Sequence, residues 1–323
     1  MTNQIGSSLI SVAPMMDCTD KHDRYFLRLI APDILLYSEM MTAQAIAHGN
    51  VQKLLAFDPA EMPVALQLGG SDPLLLARAA VMGENFGYDE INLNVGCPSD
   101  RVQSGRFGAC LMLEPDRVAD CVAAMRARVR VPVTVKCRIG VDDQDSYEQL
   151  HGFISQIAIA GCRTVIIHAR KAWLKGLSPK QNREVPPLCY PMVWQIKRDF
   201  PALTIVVNGG IKTTEDIDQQ LAQVDGVMIG RFAYANPYSL AEFQRKYFPA
   251  RRILSRKQVV ESFLPYVCAQ LNQAVRLNAM TRHILGIFQG QSGASAWRRY
   301  ISQYAHLRGA GVEVIRHALS LVP

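Results

Sequence analysis

Eight short apolar runs rich in β-forming residues recur through the first 231 residues, with polar or amphipathic stretches between them. They are 10–15 (ISVAPM), 34–41 (ILLYSEMM), 64–69 (VALQLG), 90–97 (EINLNVGC), 133–140 (VTVKCRIG), 164–170 (TVIIHAR), 204–210 (TIVVNGG) and 226–231 (GVMIGR). Most read as continuously apolar rather than alternating, as strands covered on both faces do. Residues 72–86 open on Asp72 as an N-cap with Pro73 at the first helical position. Residues 115–130 put Val118, Cys121, Val122 and Met125 on one face. Residues 146–160 and 213–222 repeat the theme, the latter capped by Thr213 or Thr214. Eight strand–helix units of this size predict an α/β chain whose first part is a parallel (β/α)8 TIM barrel. The alternative, a doubly wound sheet, normally carries a glycine-rich fingerprint after its first strand. Here the first strand runs into Ala13-Pro14-Met15-Met16.

Beyond the barrel, 245–257 (RKYFPARRILSRK) reads as a charged boundary. After it Val259, Phe263, Val267, Leu271 and Ala274 follow a helical stripe, with Pro265 expected to kink it. Residues 281–288, 293–307 and 312–321 also read as helices, so a small helical bundle is expected. The predicted domains are therefore 1–244 and 245–323. From Arg245 onward, twelve Lys and Arg stand against two Glu, a surplus of ten that leaves the remainder of this +7 chain at −3. A basic appendage on a mildly acidic body points to a polyanion, with nucleic acid as the first candidate.

No apolar run approaches the roughly 18 residues that span a bilayer. No basic segment precedes the short apolar stretch at the N-terminus, so no leader is expected and the cytoplasm is the expected location. The eight cysteines show neither CxxC pairing nor zinc spacing, which predicts free thiols and no metal.

In such barrels the functional groups sit at the C-terminal strand ends. Those ends present Pro14, Met15 and Met16; Glu39; Gln67; Asn94 with Gly96-Cys97-Pro98; Lys136 and Arg138; His168 and Arg170; Asn208, Gly209 and Gly210; and Gly230 and Arg231. Lys136 lies in an otherwise apolar strand, where a lysine is costly without an anionic partner. The ends of strands seven and eight are where barrels bind phosphate through backbone N–H groups. The residues by themselves accept a sugar phosphate or FMN there. Cys97 follows a strand in a loop with Gly105 and Gly108, an unusual place for a structural thiol. An ordinary thiol titrates near about 8.5 and at neutral pH can donate a proton. A nucleophilic role is the other reading.

APMMDCTD (13–20), LNVGCPS (93–99), VTVKCRIG (133–140), IIHARKAW (166–173), VNGGI (207–211) and MIGR (228–231) resemble the tRNA-dihydrouridine synthases nearly end to end. The stretch Lys171 to Pro187 resembles the bacterial A subgroup, associated with positions 20 and 20a of the D loop. The resemblance implies FMN at the barrel mouth, NADPH as reductant, tRNA as partner and a monomer. It implies Cys97 as general acid, and Pro14, Met15, Met16, Gln67, Lys136 and His168 beside the flavin. Asn208, Gly209, Gly210, Gly230 and Arg231 would hold its phosphate. Asn94, Lys180, Arg183, Arg298 and Arg299 are the candidates for tRNA contact. A barrel acting on a free pyrimidine, in the manner of dihydroorotate dehydrogenase, would account for residues 1–240 but not for the basic tail.

Overall fold

The computed structural model describes residues 9–323; residues 1–8, where a leader's basic segment would lie, are outside them. Eight parallel strands among the described residues close into a barrel in sequence order. They are β1 Ile10–Val12, β2 Leu35–Thr42, β3 Val64–Gly69, β4 Glu90–Val95, β5 Val133–Arg138, β6 Thr164–His168, β7 Thr204–Asn208 and β8 Gly226–Ile229. Closure is by β1 on β8, with Ile10 opposite Val227 and Val12 opposite Ile229. The expected barrel is therefore present, and a barrel leaves no open edge.

Six of the strands end short of their apolar runs, β2 and β3 excepted, for local reasons. Pro14 has no N–H to add to a ladder. Gly209 and Gly210 take φ of +113° and +79°, which ends β7 at Asn208. In β2 the register with β3 shifts between Tyr37 and Met40, so Glu39 sits at an irregularity inside the strand rather than at its end. There the Ser38 hydroxyl accepts from the Gln67 N–H at 3.0 Å.

Three helices of the barrel unit begin behind side-chain caps. Asp72 accepts from the Leu74 and Leu75 N–H groups ahead of Pro73–Phe86, and Thr213 forms a capping box with Asp216 ahead of Thr214–Leu221. Ser146 does the same with Gln149 ahead of Tyr147–Ile159. Ala13, Leu35, Tyr37, Ala65, Ile166, Val206 and Met228 form an apolar cluster. β4 departs from the both-faces-apolar expectation. Its Glu90, Asn92 and Asn94 alternate with Ile91, Leu93 and Val95, and all six are buried.

The chain divides into two compact units. The first runs through Pro14 and includes Leu35–Phe57 and Met62–Gly230, and so holds every strand. The second gathers Met15–Ile34, Asp58–Glu61 and Arg231–Pro323. In the second unit the helix Lys21–Ile30 lays Tyr25 on Tyr266 (ring centroids 3.9 Å apart) and Phe26 edge-on to Phe263. Arg24 pairs with the fully buried Glu61 at 2.7 Å. Trp297 is fully buried and donates to the Ile284 carbonyl.

The helical part places Pro265 and corrects two expectations. Pro265 lies inside a helix that continues from Arg256 to Asn272. The buried stripe includes Val259, Phe263 and Val267, but Leu271 is only partly buried. Ala274 lies past the helix end, exposed at φ +61°. The helix read at 281–288 is Leu277–Ile284, started from Arg276 without a side-chain cap, which is why its onset carried no sequence signal. The last two helices, Ala294–Tyr304 and Val312–Ser320, fall within their expected ranges. Among the described residues, no helix is long and apolar enough to cross a membrane, and no group of His, Cys, Asp and Glu could hold a metal ion. The cysteines are free thiols.

Candidate active site

β4 ends at Val95 and the chain turns at once. Asn94 makes the turn: its Oδ1 accepts from the Gly96 N–H at 3.1 Å and the Cys97 N–H at 3.0 Å. That places Cys97 one turn beyond the strand, half-buried, with its Sγ 3.5 Å from the Ser99 hydroxyl. The Ala109 N–H holds the Cys97 carbonyl at 2.8 Å. Gly108, at φ +77°, allows that approach, because a Cβ there would stand 2.5 Å from the Cys97 oxygen.

Arg138, at the end of β5, ties this loop to another. Its guanidinium donates to the carbonyls of Gly96 (3.0 Å), Lys171 (3.1 Å) and Asn182 (2.8 Å). Burial, with Arg183 and Arg170 nearby, pulls it down to about 10, against the opposing influence of Cys97; it still stays protonated. Asn182, fully buried, is the other organiser of the 171–183 loop. It accepts from the Trp173 N–H and donates to the carbonyls of Trp173 and Leu177. Gln103 adds a third tie, donating to the carbonyls of Pro98 and Leu174. Lys180 and Arg183 are thereby carried, exposed, on a braced loop.

Across from Asn94 in the β4–β5 register stands Lys136. Its ammonium donates to Asn208 Oδ1 at 3.1 Å, and Asn208 in turn donates to the Met228 carbonyl at 2.7 Å. No acid among the described residues lies within ion-pair distance of Lys136. Burial and then Arg138 push its amine down to about 8, with Cys137 and Cys97 acting the other way. His168 is buried among Arg138, Lys136, Arg170 and Arg183, and burial first and these charges next hold it far below its usual range, as neutral imidazole. The Gly209 backbone passes so close that a Cβ there would meet the His168 ring at 2.8 Å. Tyr190 donates to the Gly209 carbonyl at 2.6 Å and helps hold that left-handed turn. At Gly230 a Cβ would meet nothing within 4 Å among the described residues.

The barrel unit thus brings together Pro14, Gln67, Asn94, Cys97, Lys136, His168, Asn208, Gly209, Gly210 and Gly230 at the C-terminal strand ends. Met15, Met16 and Arg231 fall in the second unit, as do Arg298 and Arg299. Met16 is 54% exposed. Arg298 is held by Gln289 (3.1 Å) and Ser295 (3.4 Å), while Arg299, next to it on the same helix, is exposed. The sequence reading missed the tying roles of Arg138 and Asn182, the Tyr190 brace and the polar set on β4. Only the last had a signal: polar residues at 90, 92 and 94 in strict alternation with apolar ones.

The mouth is electropositive, has no carboxylate partner for its lysine among the described residues and carries a thiol on an ordered loop. That combination suits an anionic ligand beside a proton donor. The family model described as dihydrouridine synthase matches residues 11–321. The tRNA-dihydrouridine(20/20a) synthase of Vibrio cholerae is 58% identical over 319 residues, 98% of this chain and 97% of the relative. That of Synechocystis is 58% identical, covering 96% and 93%, and that of Escherichia coli 57%, covering 98% and 92%. A 2-naphthoyl-CoA reductase structure shares the fold over 72% of this chain and 49% of its own, with a TM-score of 0.54 and 11% identity.

Proposed function

Because the chain belongs to the dihydrouridine synthase family, a family of oxidoreductases, we propose that it reduces uridine to 5,6-dihydrouridine at positions 20 and 20a of the tRNA D loop, using FMN and NADPH. The observation that carries the reading is that Lys136, with no acid partner among the described residues, donates to Asn208 in the same mouth that holds the Cys97 loop. The residues present fit FMN. Within the barrel unit Lys136 and Gln67 offer a cation and an amide, His168 a neutral ring and Pro14 apolar surface; Met15 and Met16 are assigned to the flavin by the family resemblance alone. Asn208, Gly209, Gly210 and Gly230 would hold the phosphate, with glycine turns that leave backbone N–H groups approachable, and Arg231 is assigned to it by the family resemblance alone.

Bound at this mouth, FMN would supply hydride chemistry with NADPH as the reductant, and C6 of the uracil would be the acceptor. Charge then develops on the ring at C5 and O4. Cys97 delivers the proton to C5, and the Asn94 contacts to the Gly96 and Cys97 amides hold its loop for that transfer. Asn94, Lys180 and Arg183 contact the entering nucleotide. The base must leave its stack to reach the mouth, which a single-stranded loop permits. Catalysis is assigned to residues 1–244 and phosphate gripping to the basic 245–323, with Arg298 and Arg299 as contacts. A cytoplasmic monomer goes with this reading.

The test uses purified protein, NADPH and tRNA lacking dihydrouridine. Two added hydrogens at U20 and U20a, located by mass spectrometry, are expected. A protein that binds no FMN on titration, or leaves those uridines unchanged, overturns the proposal.

A further inference from the structure

The alternating polar residues of β4 do not end at the active-site loop. Asn94 Nδ2 donates to Gln67 Oε1 at 2.8 Å, and Gln67 Nε2 donates to Asn92 Oδ1 at 2.8 Å. Asn92 Nδ2 donates to the Thr134 hydroxyl at 2.8 Å, and that hydroxyl donates to Glu90 Oε1 at 2.6 Å. Tyr37 donates to the same carboxylate oxygen at 2.5 Å. All six side chains are buried. Hydrogen bonds therefore run unbroken from Glu90, at the opposite end of β4, to the amides of Gly96 and Cys97.

The direction of every link is set by the two ends. Backbone N–H groups only donate, so Asn94 must turn its oxygen to the loop and its NH2 to Gln67. Gln67 must then give its NH2 to Asn92, and Asn92 must give its own to Thr134. The Thr134 oxygen accepts that bond while its proton goes to an acceptor, and Glu90 is that acceptor. Burial raises the Glu90 carboxyl to about 7, with Asp89 adding to the rise, while the Thr134 and Tyr37 hydrogen bonds favour the charged form. A buried polar chain of this kind holds a single arrangement only when each member is satisfied.

We propose that Glu90 and Thr134 are positioning residues, which act through Asn92, Gln67 and Asn94 to fix the amide orientations at the active-site mouth and the loop that carries Cys97. The role assigned to the loop rests on the reading of Cys97 as proton donor.

Thr134→Val removes the relay hydroxyl at nearly constant shape, and Glu90→Leu removes the terminal acceptor. Two measurements read the result on FMN-loaded protein: kcat and KM for tRNA, and the rate of iodoacetamide alkylation at Cys97 relative to the exposed Cys268. Each variant is expected to lower kcat by about tenfold to a hundredfold with KM little changed, the size of effect that misplacement of reacting groups produces. Cys97 alkylation should rise about fivefold against Cys268, as the loss of one hydrogen bond allows. Thr134→Ser and Glu90→Gln, which keep a hydroxyl and an acceptor oxygen, should restore both readouts. The Thr134→Val/Glu90→Leu double variant should be no worse than either single one.

Wild-type alkylation and kcat in both single variants overturn the inference. So do losses that add independently, or a Thr134→Ser protein as impaired as Thr134→Val. If either apolar variant fails to fold, Thr134→Ser and Glu90→Gln carry the test, and a loss in both of them overturns it. Normal product from Cys97→Ala would instead sink the reading of the thiol, and the alkylation difference would still report on the chain of hydrogen bonds.

Discussion

The Lys136 ammonium reaches Asn208 Oδ1 at 3.1 Å, and this neutral amide is its hydrogen-bond partner among the described residues. A lysine so placed is a cost to the folded chain until an anion arrives. Burial lowers its affinity for a proton from 10.5 to about 8, so the folded state binds fewer protons than the unfolded state between those values.

Lys136→Met should therefore stabilise the flavin-free protein at pH 7, by up to about 3 kcal/mol. The cost in the parent chain is fully present below pH 8 and fades as the pH rises toward 10.5. The difference in melting temperature between the two flavin-free proteins should close over that window. The same substitution should weaken FMN binding by about 10- to 100-fold, the worth of a hydrogen bond to a charged group. Thermal unfolding across pH and flavin fluorescence titration check the two halves. Equal melting temperatures at pH 7 would contradict the first.

Cys97→Ala should keep its yellow colour and its NADPH oxidation while dihydrouridine formation falls by about 10²–10⁴-fold, the usual contribution of a positioned acid. Parallel assays of NADPH consumption and tRNA product separate the half-reactions. Near-normal product would refute the role.

Gly210→Ala sets a Cβ at φ +79°, 2.6 Å from the Leu188 side chain and 2.7 Å from the Tyr190 hydroxyl. Strain and collision together should cost on the order of 1–3 kcal/mol and displace the turn that Tyr190 holds. FMN retention on gel filtration should drop sharply. Gly230→Ala, facing open space, should leave the melting temperature of the flavin-free protein unchanged. A destabilisation equal to that of Gly210→Ala would contradict this contrast.

Arg298→Ala and Arg299→Ala together should weaken tRNA binding and lower the slope of log K against log salt by about 0.7–0.9 for each phosphate that the two arginines neutralise. Binding isotherms between low and moderate salt give the slope. An unchanged slope means that the pair faces away from the RNA.

The barrel was legible because strand and helix periods, caps at Asp72 and Thr213 and glycine turns are local properties of the chain. So were the residue types of the candidate site, since polar residues and glycines gather toward the C-terminal ends of most strands. Leu277–Ile284 was misplaced because it starts without a side-chain cap. Neither the bonds from Arg138 to the carbonyls of Gly96, Lys171 and Asn182 nor the anchoring of the 171–183 loop by Asn182 left any mark in composition or spacing.

What the sequence alone determined is the order of elements and which residue types stand at the strand ends, because hydrophobic period and turn chemistry act over a few neighbouring residues. Only the tertiary structure decided that Lys136 meets an amide and, among the described residues, no acid, and that Glu90 is joined to the Cys97 loop through four other side chains. Those relations depend on how eight separate strands are staggered around a closed cylinder, and contacts between residues 25 to 72 positions apart are set by that stagger.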